Sequence, residues 1–242
     1  MTKKALFHAE YMLENSFLWT HDNLPFSAHL TPGLPEVLVV AGDNCSGKSL
    51  FAEVLRAMVS GQGLPTICVS IRERSGSGLH DMAGMRRAMM FGDETVQSTG
   101  AISARTVDTA FSTLADRADN GMGALLVLDE PELGLSAGYA GALGEHLAGL
   151  AEGMPDLACG VVVVTHSKDL ARRMLKKLGA VPSFVHMGRP LSYREWLAEE
   201  PHFNVEDLAS LAERNSAGRR TVYDILAEGE AEAKATAEVS SR

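Results

Sequence analysis

The segment from Gly42 to Ser49 constrains this chain more than any other part of it. Its sequence, Gly-Asp-Asn-Cys-Ser-Gly-Lys-Ser, fits the phosphate-loop pattern G-x-x-x-x-G-K-[ST]. Gly42 and Gly47 allow the backbone to turn tightly and bring its N–H groups against phosphate oxygens. Lys48 supplies a positive charge for the β- and γ-phosphates, and Ser49 supplies a hydroxyl group for Mg²⁺. The residues expected to bind the phosphates are Gly42, Asp43, Asn44, Cys45, Ser46, Gly47, Lys48, Ser49 and Leu50.

The flanking sequence distinguishes this segment from an ordinary glycine-rich turn. Residues 36–41, Glu-Val-Leu-Val-Val-Ala, are typical of a buried strand. After the loop, apolar residues recur at helical spacing, at Leu50, Phe51, Val54, Leu55 and Met58. Strand, glycine loop and helix are the setting that the pattern requires, and the helix adds the positive end of its dipole.

The length, amino-acid composition and net charge limit the classes of protein to which this chain can belong. The 242 residues suit one domain, or one domain with a small appendage, and a hydrophobic content of 45% supports a large core. We see no signal peptide and no apolar run that could span a membrane, so we expect no membrane insertion. Three scattered cysteines suit reduced thiols in the cytoplasm. The net charge of −9 disfavours a freestanding nucleic-acid binder but leaves a local basic patch open.

The region before the loop predicts two short strands, over residues 5–13 and 24–30. Together they suggest a small antiparallel lobe at the N-terminus. Trp19 and Phe26 are candidates to stack on an adenine, although a role as core aromatics is the preferred interpretation.

Two carboxylates follow a continuous apolar run in residues 124–131, Ala-Leu-Leu-Val-Leu-Asp-Glu-Pro. Such a run predicts a central parallel strand with its acids at the carboxyl end, where sheets of this kind bind ligands. There Asp129 can hold Mg²⁺ and Glu130 can polarise an attacking water. A solvated turn is the alternative, and it does not explain why the acids follow this run.

His166 ends a second apolar run, Val161–Thr165. A lone histidine is more often structural, but this one is predicted to lie at the same edge of the sheet as the other sites. We therefore interpret His166 as a residue near the γ-phosphate.

Ser98-Thr99-Gly100 precedes a helical pattern. A small-residue turn that opens a helix presents free N–H groups to an anion, or serves as a plain N-cap. Upstream, Arg72, Arg74, Arg86 and Arg87 are interpreted as a solvated face rather than a surface for an anionic partner.

The C-terminal part predicts a last strand near Ser183–Met187, a capping box at Ser192–Glu195 and two further helices. The last residues are rich in Ala and Glu and are typical of either a helical extension or a disordered tail.

Taken together, these elements resemble the ATP-binding-cassette (ABC) ATPases over roughly residues 5 to 187. The Asp-Glu-Pro-Glu sequence at 129–132 is similar to the soluble RecF/OLD-like branch, which includes small predicted AAA/ABC ATPases. The matching motifs are Walker A at Gly42–Ser49, a signature-like Ser98-Thr99-Gly100, Walker B ending in Asp129-Glu130-Pro131, Gly134-Leu135-Ser136 at the D-loop and His166 at the switch histidine.

The resemblance implies an α/β P-loop fold: a mostly parallel sheet flanked by helices, a small N-terminal antiparallel lobe and a helical C-terminal appendage. It implies an ATPase domain over 1–190, the appendage over 191–228 and a tail over 229–242. ATP and Mg²⁺ are the implied cofactors, with Ser49 and Asp129 on the metal and Glu130, His166 and Lys48 as catalytic residues. Two copies would sandwich ATP, each offering Ser98–Gly100 to the γ-phosphate bound by the other. Hydrolysis would do work on an unidentified protein partner. The candidates for the partner are a nuclease and a toxin-like effector, and a nucleic acid is a further candidate ligand.

Several departures from the family pattern keep other functions open. The signature lacks the full Leu-Ser-Gly-Gly-Gln, the D-loop ends in Ser136, and neither Gln62 nor Gln97 occupies the expected Q-loop position. The altered signature and the missing Q-loop glutamine favour a nucleotide-dependent binding module with little turnover, whereas Glu130 argues for hydrolysis. A transporter subunit is disfavoured by the short segment before the signature and by Glu132. A function as a small-molecule kinase is the least favoured interpretation.

Overall fold

A single sheet organises the part of the chain that the structure describes. The computed structural model of the protein describes residues 4–70, 99–200 and 202–240. The strands are β1 (Ala28–Thr31), β2 (Leu34–Gly42), β3 (Thr66–Val69), β4 (Leu125–Asp129), β5 (Gly160–Val164) and β6 (Pro182–Met187). The helices are α1 (Ala5–Asn15), α2 (Lys48–Gly61), α3 (Thr99–Asp119), α4 (Ala137–Glu152), α5 (Lys168–Leu178), α6 (Tyr193–Ala198) and α7 (Val205–Ser240).

The strand order is β1-β6-β2-β5-β4-β3, and every neighbouring pair is parallel except β1 with β6. The predicted α/β fold with a mostly parallel sheet is therefore confirmed. β5 lies between β2 and β4, so the carboxyl ends of these three strands meet at one edge of the sheet. This edge is where sheets of this type bind ligands.

Helices cover both faces of the sheet, which explains why its central strands are continuously apolar. Along β2, alternate side chains point to opposite faces. Leu38 and Val40 pack with α1 and α2, whereas Val37 and Val39 pack with α3, α4, α5 and α6. The helix that follows the phosphate loop and the helix that begins at Thr99 therefore lie on opposite faces of the sheet.

The prediction of a first strand over residues 5–13 is wrong, because the segment forms α1. Its aromatic residues, Phe7 and Tyr11, favour a strand by propensity, but they are exposed. Ala5, Ala9 and Met12 are fully buried at helical spacing. Burial of this stripe against the sheet outweighs the weak strand preference of a few residues.

The predicted N-terminal antiparallel lobe is also wrong for the described residues. The second predicted strand, over 24–30, corresponds to β1, which pairs antiparallel with β6 as the edge strand of the main sheet. The N-terminal segment contributes a helix and an edge strand to the same α/β unit.

At the C-terminal end, Ser192 accepts a hydrogen bond from the Glu195 N–H, and the Glu195 carboxylate accepts one from the Ser192 N–H. This confirms the capping box predicted there. The two helices expected further on are one continuous helix, α7, which also crosses the proposed boundary at residue 228. No helix in the described parts of the chain is both long enough and apolar enough to cross a membrane.

Candidate functional site

The phosphate-loop segment connects the carboxyl end of β2 to the start of α2, as predicted. Gly47 is the N-cap of α2, with φ of 95°, in the region that favours glycine. A Cβ atom at this position would also come within 2.7 Å of the Phe26 ring. Since Gly47 has no side chain to cap the helix, the N–H groups of the first turn of α2 are oriented for an anion.

Lys48 lies inside the loop and is only 6% exposed. Its Nζ donates hydrogen bonds to the carbonyl oxygens of Gly42, at 2.9 Å, and Asp43, at 2.8 Å. Burial lowers the pKa of Lys48, while the nearby carboxylates of Glu130, Asp43 and Asp129 act in the opposite direction. The loop therefore holds a partly desolvated cation at its centre, with acidic groups close to it.

Asp129 and Glu130 lie at the carboxyl end of β4, as the sequence predicts. Glu130 has a left-handed backbone, with φ of 51°, and its N–H donates to the Val164 carbonyl oxygen at 2.9 Å. A residue other than glycine is strained in this conformation, and such strain clusters at functional sites. This backbone places the Glu130 side chain on the wall of the cavity that the phosphate loop lines.

His166 follows β5 and pairs with Glu130, with 3.4 Å between His166 Nδ1 and Glu130 Oε1. The hydrogen bond to Glu130 raises the pKa of His166 despite its partial burial. The same bond lowers the pKa of Glu130. The two residues predicted to be catalytic, which follow β4 and β5, are thus adjacent and electrostatically coupled.

This coupling predicts how His166 titrates. Its pKa should lie above the ordinary histidine value of 6.5, and Glu130→Gln should lower it, because glutamine lacks the negative charge that strengthens the hydrogen bond to the protonated imidazole. The raised pKa of His166 should stabilise the folded state fully at pH values below the pKa of His166 in the unfolded chain. This stabilisation should be lost as the pH rises through the higher pKa of the folded state. An NMR titration of the imidazole measures this directly. Glu145→Gln, a change in the exposed carboxylate that pairs with Arg173, is the control and should leave the His166 titration unmoved.

A second link between the two strand ends was not predicted from the sequence. Glu132 is only 5% exposed, and its Oε1 accepts a 2.5 Å hydrogen bond from the Thr165 hydroxyl. The Thr165 oxygen in turn accepts from the Ser167 N–H at 2.9 Å. Burial raises the pKa of Glu132. Through these bonds Thr165 and Ser167, the two neighbours of His166, are attached to Glu132 in the segment that follows β4. The position of Thr165 directly before His166 is the one feature of the sequence that could have indicated this link.

A cavity of 420 Å³ adjoins the phosphate loop, and its wall consists of two parts. The first part contains the loop, Phe26, the start of α2 and Glu130. The second part is α7, to which the sequence assigned no role in the site. The lining residues are Phe26, Asn44, Cys45, Ser46, Gly47, Lys48, Ser49, Leu50, Glu53, Glu130, Asn215, Arg219, Val222, Tyr223 and Leu226.

Of the two candidate aromatic residues, Trp19 packs on the core, with its ring centroid 5.7 Å from that of Phe51. Phe26 also packs against the core but borders the cavity as well. Only Phe26 is therefore placed where it could contact a base.

The signature-like segment is described only in part. Thr99 and Gly100 are the first described residues of α3, while Ser98 and Gln97 lie outside the described residues. The four clustered arginines, Arg72, Arg74, Arg86 and Arg87, also lie outside them. At the predicted D-loop, Ser136 is the N-cap of α4.

The donors predicted for Mg²⁺ have the chemistry that this ion requires. Ser49 lies in the first turn of α2 on the cavity wall, and Asp129 ends β4 near Lys48. A hydroxyl and a carboxylate are oxygen ligands of the kind Mg²⁺ prefers, and the ion commonly completes its coordination with substrate phosphates. Among the described residues, no group of three or more His, Cys, Asp or Glu side chains could hold a metal by itself. The residues therefore fit a magnesium ion that binds together with a nucleotide.

Comparisons with known proteins add little to this geometry. No protein-family model matches the sequence, and no curated protein matches it. A solved structure of the ORC1 protein of Aeropyrum pernix in complex with DNA is similar to 76% of this chain, with a TM-score of 0.32 and 16% sequence identity. The chain spans 44% of the length of that protein. A similarity of this size carries no argument about function.

Proposed function

We propose that this protein binds ATP at its phosphate loop and hydrolyses it to ADP and phosphate. The observation that carries the proposal is that Lys48 and Glu130 line one cavity, between a loop built for phosphates and the end of β4. A phosphate-binding cation next to a carboxylate is the arrangement that in-line attack by water requires.

In the proposed reaction, the loop N–H groups and Lys48 bind the β- and γ-phosphates and stabilise the charge of the transferring phosphoryl group. Glu130 orients and polarises the attacking water. His166, next to Glu130, holds that carboxylate in position and lies near the γ-phosphate. Ser49 and Asp129 would hold Mg²⁺, which supplies further neutralisation of phosphate charge.

The finer proposal concerns assembly. We infer an ABC-type arrangement in which two copies enclose ATP and Ser98, Thr99 and Gly100 of each complete the site of the other. The ATP-bound state would then drive or gate a protein partner, such as a nuclease or an effector, and a nucleic acid stays open as a ligand. The net charge of −9 on each copy opposes association, so contacts around the bound phosphates must outweigh this repulsion.

One observation favours a second candidate function, a nucleotide-dependent binding module with little turnover. The carboxylate proposed to activate water is paired with His166, and this pairing lowers the pKa of Glu130. A carboxylate with a lower pKa is a weaker base. In this alternative, ATP would switch the protein between states, and hydrolysis would be slow.

Steady-state phosphate release separates the two functions. The parent protein should release phosphate from ATP in the presence of Mg²⁺, and removal of the metal with EDTA should stop the reaction. Saturable ATP binding without Mg²⁺-dependent phosphate release would favour the binding module. No binding of ATP in either condition would contradict both functions.

A further inference from the structure

Helix α7 is attached to the phosphate-loop side of the molecule along much of its length. Near its start, the Leu211 carbonyl oxygen accepts a hydrogen bond from Cys45 Sγ of the loop, at 3.6 Å. Further along, Glu228 lies 3.2 Å from His21, and Gly229 packs closely against Phe17. These contacts tie α7 both to the loop and to the segment between α1 and β1.

A small apolar cluster fixes the middle of α7. Val222 and Ile225 are buried against Leu18, and partly buried residues from α2 and its surroundings pack on the same cluster. Gly218 allows a close approach to Phe26, because a Cβ atom there would lie 2.8 Å from the ring. Phe26 therefore contacts both Gly47 of the loop and Gly218 of α7, and it sets the distance between them.

This docking orients one face of α7 into the cavity. Arg219 follows Gly218 directly and lines the cavity together with Lys48 and Glu130. Among the described residues, Arg219 forms no ion pair, whereas Arg172, Arg173 and Arg189 each pair with a carboxylate. The neighbouring Arg220 is not one of the described residues that line the cavity.

The acidic side chains around Lys48 indicate what Arg219 could contribute to the cavity, which is positive charge for a phosphate ligand. Lys48 is close to Glu130, Asp43 and Asp129, so these four side chains together carry more negative than positive charge. The proposed Mg²⁺ supplies part of the positive charge that a polyphosphate needs there, and an arginine in the cavity can supply more. The planar guanidinium group of an arginine forms paired hydrogen bonds with phosphate oxygens, which are among the stronger interactions in proteins.

We propose that Arg219 binds the phosphate groups of the nucleotide held by the phosphate loop of the same chain, so that α7 forms part of the nucleotide site. This inference rests on the proposed function, since it requires a nucleoside triphosphate in the cavity. It extends that function because it assigns phosphate contacts to a helix that no phosphate-loop motif includes. The positive charge opposite Lys48 then comes from the same copy, before any second copy binds.

The matched pair Arg219→Ala and Arg220→Ala tests this inference. Both changes remove one arginine from an exposed stretch of α7, so they alter net charge and helix propensity equally. Isothermal titration with ATP and Mg²⁺ should show affinity about ten-fold weaker or more for Arg219→Ala, from the loss of a charge-assisted contact. Arg220→Ala should stay within about two-fold of the parent, because Arg220 is an exposed charge that does not line the cavity and is screened by salt. Adenosine, which lacks phosphates, should bind both variants equally.

The outcomes separate this inference from the proposed function. If Lys48→Ala loses ATP binding while Arg219→Ala binds like the parent, the inference is wrong and the phosphate-loop function stands. Equal losses for Arg219→Ala and Arg220→Ala would also overturn it, because the effect would then be general electrostatics. If Lys48→Ala binds ATP like the parent, the proposed function itself fails. Arg219→Lys should recover only part of the affinity, since lysine keeps the charge and loses the planar fork.

Discussion

Replacing Lys48 with alanine should abolish tight ATP binding. Lys48 is the one positive side chain within the phosphate loop, and its Nζ already lies at the loop interior through bonds to Gly42 and Asp43. One charge-assisted contact of this kind contributes roughly 1.5–3 kcal/mol, which corresponds to about a ten- to hundred-fold loss of affinity. Titration calorimetry with ATP and Mg²⁺ measures the loss.

Two controls make this result interpretable. Lys48 is buried, so the alanine variant can also lose stability, and Lys48→Met keeps much of the aliphatic volume. Both variants should lose ATP binding, and thermal unfolding without nucleotide reports any change in the fold. Lys176→Ala removes a lysine on α5, remote from the loop, and should bind ATP like the parent. Parent-like affinity in a folded Lys48→Met protein would contradict the proposed phosphate site.

Glu130→Gln should preserve ATP binding and slow hydrolysis by about 10²- to 10⁴-fold, the range expected for loss of a general base. Glutamine has nearly the same shape as glutamate but lacks the charge that polarises water. Asp129 and Ser49 remain, so Mg²⁺ and ATP should still bind. Steady-state phosphate release gives the rate, and Glu145→Gln, which changes an exposed carboxylate on α4, is the matched control.

The same variant tests the assembly. If hydrolysis is blocked, the ATP state should accumulate, and the ABC-type proposal expects that state to be a dimer with two ATP molecules between its subunits. Size-exclusion chromatography with light scattering, run with ATP and with ADP, distinguishes dimer from monomer. A Glu130→Gln protein that binds ATP and stays monomeric at high micromolar concentration would contradict the sandwich. The chain would then have to be a monomeric switch, or one half of a heterodimer whose partner supplies the signature.

Local patterns predicted the elements that carry the site. The strands β2, β4 and β5 were found because a strand buried on both faces is continuously apolar. The capping box before α6 was found because both of its bonds join residues three positions apart. Each of these features depends on residues close together in the chain, so a short window of sequence contains all the information needed.

Patterns of this kind failed at α1. Nine residues that include Phe7 and Tyr11 are compatible with a strand or a helix, and only contact with the sheet decides between them. In the structure, Ala5, Ala9 and Met12 face the sheet and the aromatic residues face outward. The decision depends on which side of the segment is buried, which its own sequence does not state.

The sequence alone predicts a phosphate-binding site, from the loop glycines, Lys48 and the strand and helix that flank them. It also predicts that Asp129, Glu130 and His166 lie at the carboxyl ends of apolar strands. The folded structure, and not any local pattern, shows that β5 lies between β2 and β4, which brings His166 to Glu130, and that Thr165 bonds to Glu132. It alone placed Arg219 at the phosphate loop. That placement depends on Val222 and Ile225 packing against Leu18, a contact between opposite ends of the chain that no local pattern records.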